Sequence, residues 1–345
     1  MPEDNVEKEY TYVQKVWIAG GILALIVIFL LLFEATFNVL ILIFAGVLIA
    51  SYFRGISRYL RKKTGWKSWI TLAISTVGTL LLVVGLFWLM GATVASQAEQ
   101  LEDTLPAIVE DVEASLRGSA VGSELVEKIE EARNSGEMTS FISRLFATTF
   151  GFIGDFYIIL IIGIFFTASP QLYKHGITQL VPPRGREKAD DVQKKLGTGL
   201  KKWLAGKFIA MFAVFLLTAI GLAILGIPMW LTLALLAGLL NFVPNFGPLA
   251  AMIPAVLVGL SISPATALTI AIMYIAIQLL ESSIINPQAQ KKLIKIPPAL
   301  IIISQLLVGA LSGIWGVILA TPLVLMIIIL VQELYVKRMN EKESE

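Results

Sequence analysis

Apolar residues run along most of this chain in stretches long enough to cross a bilayer. They predict spanning helices at 16–33, 36–53, 68–91, 148–168, 206–226 and 265–281. Each supplies roughly the ~20 apolar residues that a ~30 Å hydrocarbon core requires. Glu34 falls between the first two, where a turn at the outer face would hold it. Two further stretches are apolar but broken. Gly226–Leu260 carries Pro244-Asn245-Phe246-Gly247-Pro248 at its centre, and Ile296–Leu330 carries Gly309, Ser312-Gly313 and Gly316. Irregular backbone at membrane depth survives only against protein or a water-filled cavity, because lipid cannot satisfy its N–H and C=O groups. Paired broken segments therefore point to a solute site. The expected class is an all-α polytopic membrane protein with about six spanning helices plus two re-entrant helical hairpins, at 226–260 and 296–332, or eight spans if each broken segment crosses once.

Loop charges set an expected orientation. Residues 54–67 hold Arg54, Arg58, Arg61, Lys62, Lys63 and Lys67 without an acid, which predicts a cytoplasmic loop. Residues 95–145 hold 11 acids against 4 bases and are expected outside, whereas 170–207 hold 9 bases against 3 acids and are expected inside. Both termini then lie in the cytoplasm. If 226–260 and 296–332 are hairpins, Lys291, Lys292 and Lys295 are cytoplasmic; if each crosses once, they fall outside. The excess of basic residues on cytoplasmic loops favours hairpins. So does length, since 229–243 makes only ~22 Å of helix, short for a perpendicular span.

A weak internal repeat agrees. Pro228 precedes Gly247 by 19 residues and Pro254 follows it by 7, while Pro298 precedes Gly316 by 18 and Pro322 follows it by 6. Each broken segment follows one full-length helix, so two units entering from opposite faces would form an inverted repeat. The acidic insertion at 95–145 carries an apolar stripe, Leu101, Leu105, Ile108, Val112 and Leu116, at helical spacing. It is too short for a core of its own and is expected to pack on membrane helices or a neighbouring subunit. The basic segment 170–207 also reads as helical, interrupted by Pro182-Pro183. Residues 1–345 thus read as one membrane domain with two modest insertions.

Composition narrows the chemistry. The chain is 57% hydrophobic and 15% charged, against about 25% charged in soluble domains, and its mean hydropathy is +0.80. It has no cysteine and one histidine, His175, which removes thiol chemistry and argues against a histidine metal site or a Ser-His triad. The acidic N-terminus does not read as a signal peptide. Phosphate-loop patterns are missing, as are paired-carboxylate and nucleophile motifs, so neither ATP drive nor an enzyme is expected, and no cofactor or metal is called for. The basic stretches suit topology and anionic lipid rather than nucleic acid.

Three polar groups interrupt the apolar runs. The first is Asn241 to Pro248, where Pro244 and Pro248 free carbonyls, Gly247 permits unusual backbone, and Asn241 and Asn245 offer uncharged donors and acceptors. A plain interhelical turn is the bland alternative. The second is Gln278, Glu281, Ser282, Ser283 and Asn286-Pro287. A carboxylate in a membrane helix is costly and usually functional, though one at a helix end is easily solvated. The third is Ser304, Gln305, Ser312-Gly313 and Thr321-Pro322, where small residues also suit close helix packing. Asp155 and Glu34 are the remaining acids near the spans and complete the set of ion-coupling candidates with Glu281.

These residues resemble the autoinducer-2 exporter family of prokaryotic transporters. The resemblance is carried by LLNFVPNFGPLAAMIPA (239–255), QLLESSIINPQAQKKL (278–293) and GALSGIWGVILATPL (309–323), supported by LVPPRGREKADDV…LGTGLKKWLAGK (180–207). It departs at Gln290-Lys291, where such sequences often place a glycine before the basic residue. The resemblance implies an inner-membrane homo-oligomer, a pentamer, with two hairpins that carry solute by an elevator-like motion. It also implies two possible activities, export of autoinducer-2 or sodium/proton antiport.

Three functions follow. A secondary transporter of a small polar solute suits the uncharged Asn, Gln and Ser side chains. A cation/proton antiporter needs a buried acid, with H+ or Na+ as partner. A non-transporting scaffold would use the 170–207 segment to recruit partners and leave the broken segments without a purpose.

Overall fold

A computed structural model describes residues 11–85, 88, 154–260, 262–289, 296–337 and 339–340. The acidic insertion at 95–145, the ends of the third and fourth expected spans, and Lys291, Lys292 and Lys295 lie outside the described residues. Among those described, the secondary structure is helical. We number the helices α1 (Tyr12–Thr64), α2 (Ser68–Gly85), α3 (Gly154–Ala168), α4 (Pro170–Gln179), α5 (Arg186–Ile224), α6 (Trp230–Leu240), α7 (Phe246–Leu260), α8 (Pro264–Leu280) and α9 (Pro298–Val331). Among the described residues five helices are long and apolar enough to span a membrane, and a sixth results if α3 and α4, bent by 86°, count as one.

The first two expected spans are one helix. α1 runs unbroken for 53 residues, ~80 Å, straight through Glu34. No Gly or Pro interrupts Phe33-Glu34-Ala35-Thr36-Phe37. The Thr36 hydroxyl donates back to the Leu32 carbonyl at 2.7 Å, so the polar residue there is satisfied inside the helix. α1 ends where Gly65 adopts a left-handed φ of 70° and donates to the Arg61 carbonyl, with Arg61, Lys62 and Lys63 at the negative end of the helix dipole.

α5 organises the rest. Against its first half lies the end of α9, running the other way: Lys195 meets Glu333 at 2.7 Å, and Gly199 faces Ile329 closely enough that a Cβ would sit 2.6 Å from its Cδ1. Trp203, Trp315, Leu319 and Leu325 fill the core between them, with Ile41 to Leu48 of α1 and Ile159 of α3. Against the second half of α5 lie α6 and α8. Gly238 of α6 abuts Phe215, a Cβ there falling 2.7 Å from the phenylalanine Cβ. Phe242 then meets Trp203 edge-on at 5.9 Å. Gly221 faces Met273, and Lys207 faces Glu281. α6 and α8 are therefore both antiparallel to α5. Val214, Leu222, Ala251, Ala255 and Ile270 form this second core.

Both broken segments fold back on themselves. α6 and α7 pack together across a turn at 241–245, where Asn245 has a φ of 67°. Gly247 lies against the Leu240 carbonyl, where a Cβ would collide. α9 breaks at Ser312 (φ −135°, ψ 16°) and Gly313 (φ 59°, ψ −141°). Beyond the break Gly316 lies on the Val308 carbonyl, and a Cβ at Gly309 would approach Val317 Cγ2 at 2.7 Å. In a straight helix residues eight apart are ~12 Å apart. The contact therefore requires two arms, 298–311 and 314–331, returning on each other.

Candidate functional site

The turn between α6 and α7 ends deep in the protein. Its register on α5 runs from Phe215 at Gly238 to Trp203 at Phe242. Asn241 is fully buried, and neither its Oδ1 nor its Nδ2 has a partner among the described residues. Buried amides are nearly always paired, so an unpaired one calls for an explanation.

The first arm of α9 meets the same turn. Gln305, fully buried, donates from Nε2 to the Pro244 carbonyl at 2.9 Å and faces Asn245 Nδ2 across 3.4 Å through its Oε1. The Pro244 carbonyl also accepts from the Phe246 N–H at 2.8 Å. Ser304 is buried beside Gln305 and spends its hydroxyl on the Ile301 carbonyl. Ser312, at the tip of α9, donates to Asn38 Oδ1 of α1 at 2.6 Å. The two tips thus bind different elements. Gln305 and Ser312 are seven residues apart, ~10 Å of helix, so the tips overlap along α9 rather than meeting end to end.

The third part of the site is ionic. Lys207 and Glu281 are each about 2% exposed and stand 3.8 Å apart. Asn286 donates from Nδ2 to Glu281 Oε1 at 3.2 Å. These acidic and amide residues flank a one-turn π-helix, Glu281–Ile285, closed by the Asn286 N–H on the Glu281 carbonyl. Such insertions recur at functional positions in helices. The Asn286 Oδ1 is buried without a partner. A charge pair held out of water costs more than it returns unless its geometry is supported, and removing one partner is worse than removing both.

The residues expected from the sequence divide accordingly. Asn241, Pro244, Asn245, Gln305 and Ser304 gather where the α6–α7 turn meets α9, and Glu281 and Asn286 sit with Lys207 at the end of α8. Gly247 and Pro248 stand at the start of α7 as scaffold, and Gln278 is half-buried one turn before Glu281. Ser312 belongs to the Asn38 contact, and Gly313 supplies the positive φ at the break of α9. Of the other acids, Glu34 is exposed on α1 and Asp155 is half-buried near the start of α3. Two residues were missed. Lys207 read as one of the basic residues that set topology, although it lies inside the apolar run 206–226; Asn38 is a lone amide in the apolar stretch of α1.

Residues 22–336 match the model of the family described as AI-2E family transporter. The chain belongs to that family. It is 25% identical over 306 residues to the protein named "Putative transport protein YueF" of Bacillus subtilis (strain 168), covering 81% of this chain and 80% of that one. It is 28% identical over 152 residues to "Putative transport protein YrrI" of the same strain, 44% of this chain and 43% of that one, so this match spans less than half of either protein. With "Putative transport protein MT0215" of Mycobacterium tuberculosis (strain CDC 1551 / Oshkosh) it shares 27% over 266 residues, 71% of each. A chain of the AI-2E family with several helices long and apolar enough to cross a membrane among its described residues is a multi-pass membrane protein of a transport family.

Proposed function

We propose that this protein is a secondary transporter that exports a small, polar, uncharged organic solute of the autoinducer-2 kind. The solute is held between the α6–α7 turn and the first arm of α9. The single observation that carries this reading is Asn241: a fully buried amide with both polar atoms unpartnered, at a turn whose carbonyl and amide neighbours are tied to Gln305. Side-chain amides and freed carbonyls suit hydroxyl-rich solutes, because they donate and accept without imposing a charge.

The two broken segments are re-entrant in this reading. α5 and α8 run antiparallel, so a segment joining the end of one to the start of the other begins and ends on one face. By the same logic the Lys195–Glu333 bridge returns the end of α9 to the side where α5 begins. The body built on the second half of α5 moves against α1 and α3 as an elevator, in the inner membrane of a prokaryote, with residues 54–67 and the end of α9 cytoplasmic. Because α1 runs unbroken, its start at Tyr12 lies on the face opposite Thr64 rather than in the cytoplasm. The face of α1 at 12–34, exposed along its length, is covered by lipid and by further copies in a homo-oligomer, a pentamer.

A second reading is favoured by one observation, the burial of Glu281. It makes the protein a cation/proton antiporter with Glu281 as its ion-coupling residue. Purified protein in proteoliposomes, offered a panel of neutral polar solutes under pH and Na+ gradients, separates the two. Solute flux blocked by Asn241→Leu is expected. Cation/proton exchange without flux of any solute would overturn the first reading in favour of the second.

A further inference from the structure

A cavity of about 290 Å³ lies between the helices, apart from the polar turn of the candidate site. Its wall includes Ala45 and Tyr52 of α1, Leu204 and Phe208 of α5, Phe242 and Trp315, and is almost wholly apolar. The hydroxyl of Thr79 in the wall is spent on the Ser75 carbonyl at 2.7 Å. An apolar cavity of ~150 Å³ stays dry and takes apolar guests, so this larger one suits neither water nor a polar solute. Leu82 of α2 and Phe208 line it and are also exposed, so the cavity reaches the surface that faces lipid.

Beyond one end of the cavity the helices turn cationic. Tyr52 packs on Phe208 at 5.0 Å. Past Tyr52, α1 carries Arg54 and Arg58; on α5, Lys201 stands one turn before Leu204. Arg54 donates from Nε to the Thr167 carbonyl at the end of α3, at 2.9 Å. α4 lies on the start of α5, its Lys174 carbonyl accepting from Gln193 Nε2 at 3.4 Å. Arg58, Lys174 and Arg54 all act electrostatically on Lys201. None of the four forms an ion pair among the described residues. Of the acids early on α5, Asp190 accepts from Thr178 and Asp191 pairs with Lys195. Like charges gathered without a counter-ion repel one another, and a bound anion relieves that.

We propose that one anionic phospholipid of the surrounding bilayer binds here, with its phosphate among Arg54, Arg58, Lys174 and Lys201 and one acyl chain in the cavity. The cations alone would suit a free phosphate, and the cavity alone any apolar guest. An anionic lipid uses both, and basic sites between spanning helices commonly hold such headgroups. The site rests on the chain being a membrane protein and not on what it carries.

The test follows thermal unfolding of the purified, delipidated full chain. Phosphatidylglycerol should raise Tm by several degrees, phosphatidylcholine with the same chains by clearly less, and inorganic phosphate not at all. Arg58→Gln/Lys201→Gln should fold, since neither side chain is buried, and should reduce the phosphatidylglycerol shift to the phosphatidylcholine level. Ala45→Leu fills part of the cavity and should shrink both lipid shifts. If Ala45→Leu does not fold, phosphatidylglycerol with brominated chains decides the same point: it should quench Trp315, read as the difference between wild type and Trp315→Phe. Equal shifts with the two lipids, a full shift retained in the double variant, or a shift reproduced by inorganic phosphate overturns the proposal. So does an undiminished lipid shift in folded Ala45→Leu, or an unquenched Trp315.

Discussion

Replacing Asn241 with leucine separates a binding role from a structural one. Leucine keeps the branching at Cγ and the number of heavy atoms, and no hydrogen bond within the described protein is lost, because neither amide atom has a partner there. A buried polar group without a partner costs about 1–3 kcal/mol. Two methyls in place of the amide add volume, and overpacking costs about 1–3 kcal/mol. The terms oppose, so Asn241→Leu should change stability by no more than about 2 kcal/mol in either direction. That corresponds to no more than roughly 5 °C in Tm for a chain of this size. Binding should respond differently. Two amide hydrogen bonds to solute, at about 0.5–1.5 kcal/mol each, are worth roughly 5- to 150-fold in Kd. Thermal unfolding and equilibrium solute binding on the same preparation measure both. A Tm lowered by more than about 5 °C with binding intact would refute the reasoning and make Asn241 a packing residue.

Gln305→Leu removes the 2.9 Å bond to Pro244 and the longer contact with Asn245. The Pro244 carbonyl keeps the Phe246 N–H, so the expected loss is only about 1–2 kcal/mol, read as a lower Tm together with weaker solute binding; an unchanged Tm would mean that the turn does not lean on α9. Gly247→Val drives a side chain into the Leu240 carbonyl, at or beyond the upper end of the ~1–3 kcal/mol of ordinary overpacking. Size-exclusion chromatography should show little folded protein, and a monodisperse wild-type-like peak would contradict the close approach.

The breaks in the two apolar segments were legible because Pro, Gly and Asn are costly in a spanning helix and announce themselves. Glu281 was legible for the same reason. The uses of those residues were less so. Gly247 suggested unusual backbone, yet the left-handed residue is Asn245, and Gly247 is needed because Leu240 passes too close for a Cβ. A turn at Glu34 was expected from one acidic residue, but helix formers on either side and a self-satisfied Thr36 carry α1 through it. The two tips find different partners: Asn245 reaches Gln305 and Ser312 reaches Asn38. Those pairings span 60 and 274 residues and depend on how far each arm slides past the other, which local pattern does not encode. Lys207 was hidden by company: among nine basic residues at 170–207 it is the one whose partner lies on another helix inside the apolar core.

The account stands on each broken segment entering and leaving the membrane on one side. The chain has no native cysteine, so single cysteines at Ile262 and Gln288, both exposed, can be labelled in intact cells with a membrane-impermeant maleimide. With residues before α5 cytoplasmic, hairpins place position 262 outside and 288 inside. Labelling of Ile262→Cys from outside, with Gln288→Cys labelled only after the membrane is opened, is the predicted result. The reverse pattern, 262 protected and 288 labelled, would mean that 226–260 crosses the membrane once, and would contradict the hairpins and the site built on them.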